Sequence, residues 1–132
     1  MKNLQKIWQW WCGFNIILLV FFVALTPINP GLIYGFLLGI GVTFISLISI
    51  QITAKSLAED KGKFIGLVLL RWFLHLSVMG GVVVFVILYN RQFATDTLGM
   101  MQAKINLFTF IVANVLQIAI IVLANISLKK EV

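Results

Sequence analysis

The sequence predicts an all-α integral membrane protein: four transmembrane helices in an antiparallel bundle, with both termini in the cytoplasm. Three observations carry this expectation. The first is composition. Of 132 residues, 61% are hydrophobic and only 11% charged, where soluble domains are about a quarter charged. With a mean hydropathy of +1.08, the chain has more apolar surface than a soluble fold of this length can hide. The second is segmentation. The apolar residues fall into four runs of about 15 to 25, close to the roughly 20 that span hydrocarbon as helix. None shows the period-2 alternation of a barrel strand. The third is that charges concentrate between the runs. The chain reads as one membrane domain over residues 1–132, with helices at about 8–26, 31–54, 64–89 and 105–128.

The first helix follows a short basic tail, Met1 to Lys6, and ends at Thr26-Pro27-Ile28-Asn29-Pro30. Basic residues ahead of an apolar core also describe a signal peptide. No small-x-small cleavage site follows, however, and the remainder is not a soluble mature domain. The run is read as a retained helix. The proline turn is short enough to impose a hairpin into the second helix.

That second helix, Gly31 to Thr53, has one nearly bare side. At 100° per residue, Gly31, Gly35, Gly39, Ser46, Ser49 and Thr53 fall within about 80° of one another. Leu and Ile fill most of the remaining surface. Between helices in lipid there is little hydrophobic drive, so association depends on close backbone approach, which small residues at four-residue spacing permit. The stripe is expected to be a packing or docking surface, for the chain's own helices, for a partner, or for both.

A charged loop at 55–63 leads into the third helix. Its Glu59-Asp60 pair reads as a solvated charge cluster. Arg71 lies seven positions into the third apolar run, about 10 Å past its start. An intramembrane cation needs a partner or an escape. The plain reading is snorkelling to the headgroups. The functional reading is a fixed contact with a partner, because no Asp or Glu lies inside any of the four runs. His75, one turn on, shares the face of Arg71 and reads as a structural hydrogen-bonder. Gly80-Gly81 would allow close approach or a bend.

A polar external loop, 90–104, precedes the last helix. There Asn106, Asn114, Gln117 and Asn125 fall within about 100° of one another at helical spacing. The structural reading is hydrogen bonding between helices. With His75, the four also make a candidate polar path for an ion.

Orientation follows from the basic residues. With the N-terminus inside, the inner segments hold Lys2, Lys6, Lys55, Lys61, Lys63, Lys129 and Lys130, and the outer ones only Arg91 and Lys104. The positive-inside rule then places both termini in the cytoplasm. The net charge of +6 is thereby explained by topology and anionic lipid, with no call for nucleic acid. The single cysteine, Cys12, cannot form an internal disulfide. There is no nucleophile-base pair, no phosphate loop and no CxxC. No catalytic residue, metal site or cofactor is expected, and an enzyme is not.

Gly35-Phe-Leu-Leu-Gly39 with Ser46 seven positions on, then Lys61-Gly62-Lys63, then Arg71-Trp72 early in the next helix, resembles the ATP synthase protein I family of the Gram-positive type. The likeness covers roughly Pro30 to Leu76. It implies a small four-helix protein of the bacterial plasma membrane that helps c subunits of the F-type ATP synthase assemble into the rotor ring. Gly35, Gly39 and Arg71 match the family pattern. Ser46 departs from it, since many members carry Asn there, which loses the amide but keeps a small hydrogen-bonding group. On this reading helix two touches the c subunits and Arg71 approaches a carboxylate or carbonyl on them. The alternative is a small magnesium or cation channel, a homo-oligomer using the amide face of helix four.

Overall fold

The computed structural model describes residues 2–57 and 61–130, with side chains at 5–53, 62–124 and 126–127. Glu59 and Asp60, and the Asn125 side chain, lie outside the described residues. Among those described there are five helices and no strand: α1 (Lys2–Ala24), α2 (Gly31–Leu57), α3 (Lys61–Asn90), α4 (Thr97–Gln102) and α5 (Leu107–Lys130). Four of them, all but α4, are long and apolar enough to cross a membrane, which suits a multi-pass membrane protein. In hydrocarbon a helix satisfies every backbone group within its own segment. That requirement outweighs the propensity cost of the glycines inside α2 and α3.

The structure adjusts the expected boundaries. α2 is helical through Leu57 and α3 starts at Lys61, both inside the segment read as a loop. The expected external loop is partly ordered as α4. Asp96 caps that short helix, its carboxylate accepting from the Gly99 amide at 3.0 Å.

Between α1 and α2 the chain turns on Leu25–Pro30. The Ile28 and Asn29 amides donate to the Leu25 carbonyl at 3.0 and 3.2 Å. The Asn29 side chain accepts from the Gly31 amide at 2.9 Å and so caps α2. The return from α3 to α5 is held by Asn90, which is fully buried. Its Oδ1 accepts from the Lys104 and Ile105 amides, both at 3.1 Å, and its Nδ2 donates to the Ile105 carbonyl at 2.8 Å. Asn106 then caps α5, its Oδ1 accepting from the Thr109 amide at 3.0 Å.

α2 is the central element, packed on α1, α3 and α5 and most closely on α5. Near the Asn90 end, Val42, Val86, Leu107 and Phe110 join α2, α3 and α5. Phe22, Phe36 and Ala113 join α1, α2 and α5, with the two rings stacked 4.5 Å apart. Towards the other end, Trp11, Leu47 and Ile120 join the same three helices. These pairings run in opposite senses along α1 and α2, and in the same sense along α2 and α5. α3 is the least buried of the long helices. It rests on α2 and makes little contact with α5.

Candidate functional site

The glycines of the α2 stripe face α5. A Cβ added at Gly35 would overlap the Asn106 carbonyl oxygen, and one at Gly39 would lie 2.6 Å from the Ala113 Cβ. A Cβ at Gly31 would lie 3.0 Å from the Lys104 carbonyl oxygen. The Asn106 amide donates to the Gly31 carbonyl at 3.0 Å. Close approach was the expected use of these residues, and α5 is what approaches. Within the chain, Gly35 and Gly39 are packed against α5.

The stripe changes character beyond Gly39. The Thr43 hydroxyl donates to the Gly39 carbonyl at 3.0 Å, that of Ser49 to the Ser46 carbonyl at 2.7 Å and that of Thr53 to the Ser49 carbonyl at 2.8 Å. These hydroxyls turn back onto their own helix, and no glycine continues the close approach there.

Where α3 and α5 diverge across α2, they leave a lateral crevice. Its main cavity measures about 440 Å³. α2 contributes Thr43 and Ser46, α3 contributes Arg71 and His75, and α5 contributes Asn114. The rest of the lining is almost entirely apolar, with Trp72 and Met79 on one wall and Ile111, Val115, Ile118 and Val122 on the other. A side pocket of about 60 Å³ continues along α2 and α3 past Ser46 and Ser49. Ser46, Arg71 and His75 line both spaces, Ser49 the side pocket and Asn114 the main cavity.

Arg71 and His75 are half-buried, and among the described residues neither has a hydrogen-bond or ion-pair partner. The one acid among the described side chains, Asp96, caps α4 beyond the opposite end of α3. A guanidinium in an apolar crevice, with no counter-charge among the described residues, is the main chemical feature of that region. The crevice attracts anions and repels cations.

The described amides of this face, Asn106, Asn114 and Gln117, are engaged within the chain. Gln117, fully buried, exchanges two hydrogen bonds with Asn15 of α1. Asn114 donates to the Phe110 carbonyl at 2.8 Å, and Asn106 caps the helix. These three are structural hydrogen-bonders, and of the three Asn114 lines the crevice. Asn15 went unremarked in the sequence. The signal was there, since it is the one amide between Trp11 and Leu25 and a buried amide requires a partner.

A second cavity, of about 510 Å³, lies at the Asn90 end between Tyr34, Tyr89 and Lys104. It is the larger of the two, but its cation is exposed and rests 4.9 Å from the Phe93 ring centre. Those are the residues of an interfacial belt, so the chemistry favours the smaller crevice. Among the described residues no three His, Cys, Asp or Glu side chains converge on a point. No protein-family model, curated protein or solved structure matches the chain.

Proposed function

We propose that the chain is a non-catalytic accessory protein of the bacterial F-type ATP synthase, helping c subunits assemble into the rotor ring. It lies in the plasma membrane with both termini in the cytoplasm. The resemblance over Pro30 to Leu76 suggests the system. The observation that carries the reading is the unpaired Arg71 in a crevice open to the side.

A c subunit is a helical hairpin that must be held in the bilayer before its neighbours arrive. A lateral crevice with apolar walls receives the flank of such a hairpin. Arg71 offers a charge to a carboxylate or carbonyl on it, a counter-charge that no described side chain of this protein supplies. The contact surface is therefore Ser46, Arg71 and Trp72, with the glycine end of α2 setting the spacing of α2 and α5 behind it. The channel reading is weaker because Asn106 and Gln117 are committed to partners and the nearest free charge is positive.

The test is co-purification of c oligomer with affinity-tagged protein, followed by ring yield in cells carrying Arg71→Leu. Retained c oligomer and a several-fold loss of rings in the variant are expected. Normal ring yield from correctly inserted Arg71→Leu protein would sink the proposal.

A further inference from the structure

Before any partner protein enters, something must occupy the crevice. We infer that it holds an anionic phospholipid, with the phosphate bound by Arg71 and an acyl chain laid along the α5 wall. Arg71 stands ten residues from the start of α3, about 15 Å along the axis at 1.5 Å per residue. From there a long side chain reaches towards headgroup level, where the abundant anion is lipid phosphate. His75 and Ser46 line the same space, and among the described residues neither side chain has a hydrogen-bond partner. Three donors without acceptors thus meet in one place.

The walls decide the kind of anion. Ile111, Val115, Ile118 and Val122 would leave inorganic phosphate facing hydrocarbon, whereas a phospholipid satisfies donors and walls together. The volume of about 440 Å³ falls among cavities that hold small organic ligands, roughly 300–1,000 Å³. The inference concerns the resting state of the crevice and does not depend on which protein later displaces the lipid.

The experiment is native mass spectrometry of the detergent-purified protein, with phosphatidylglycerol and phosphatidylcholine of matched chains supplied in equal amounts. Both lipids offer Arg71 a phosphodiester, but only phosphatidylcholine adds a fixed cation, which the guanidinium repels; wild-type protein should therefore retain phosphatidylglycerol over phosphatidylcholine several-fold. Arg71→Leu should bring the two to parity and Arg71→Lys should keep part of the preference. Arg91→Leu, at an exposed position, should leave it unchanged. Ile118→Trp should lower retention of both lipids by narrowing the wall, with helicity by circular dichroism unaltered. Millimolar inorganic phosphate should displace neither lipid.

Equal retention by the wild type, or an undiminished preference in folded Arg71→Leu, overturns the inference. A protein that binds c oligomer but shows no lipid preference also overturns it, and leaves the assembly reading standing. A lipid preference without c association does the reverse.

Discussion

At the scale of single residues, two features explain how the helices recognise one another. The first is the reciprocal Asn15–Gln117 pair. Each amide is buried, and each donates to the other. Hydrogen bonds between membrane helices contribute about 0.6 kcal/mol on average, but a buried amide stripped of its partner costs about 1–3 kcal/mol. Asn15→Leu and Gln117→Leu should therefore each destabilise by about that larger amount, and the double variant by less than the sum. Unfolding in mixed detergent micelles, followed by circular dichroism, measures the cycle. Strict additivity would show that the pair is incidental.

The second feature is the unequal use of glycine along α2. Gly35 meets backbone, Gly39 meets the Ala113 methyl, and Gly41 has nothing within 4 Å. A helix backbone cannot yield as a side chain can. Gly35→Ala should push α5 away and lower stability by about 1–3 kcal/mol. Gly41→Ala should stay within about 0.5 kcal/mol of wild type. Gly39→Ala should be partly rescued by Ala113→Gly. The same unfolding assay ranks all three, and equal effects at positions 35 and 41 would contradict the packing described.

At the scale of elements, the helices were legible and their neighbours were not. Hydropathy decides which segments leave water, and it is written locally in the four apolar runs. Periodicity gave α2 a small-residue face, but a face does not name what covers it. That depends on shape matching between residues far apart, such as Gly39 and Ala113. Ser46 and Arg71 were legible as candidates because a charge in an apolar run stands out alone. Asn106, Asn114 and Gln117 share a face of α5 by spacing, but spacing says nothing of what each amide meets. α4 was missed because a six-residue helix carries little periodic signal, and its cap, Asp96, reads equally as a turn residue.

The return loop gives a prediction at this scale. Asn90 satisfies three backbone groups of residues 104 and 105 and does so from the last turn of α3. Asn90→Ala should release that strap without unfolding the bundle. Hydrogen exchange should accelerate at the Lys104 and Ile105 amides by about ten- to a hundredfold, corresponding to about 1–3 kcal/mol. Exchange in the middle of α2 should not change. Uniform acceleration throughout the chain would instead make Asn90 part of the global core.

At the scale of the whole molecule, the crevice gains its meaning from orientation. It lies in the half of α2 and α3 nearer Leu57 and Lys61, and the large aromatic-lined cavity lies at the other end. If the lysine-rich end is cytoplasmic, Arg71 faces the leaflet that carries the negative surface potential. A partner hairpin would then be held from the side on which the rest of an F-type synthase assembles. Orientation is open to direct measurement because Cys12 is the only cysteine. In a Cys12→Ser background, Gln92→Cys and Gln5→Cys introduce single thiols at exposed positions on opposite ends of the molecule. A membrane-impermeant maleimide applied to intact cells should label Gln92→Cys and spare Gln5→Cys until the membrane is permeabilised. The inverse pattern would place the crevice towards the outer leaflet, and the assembly reading would lose its geometry.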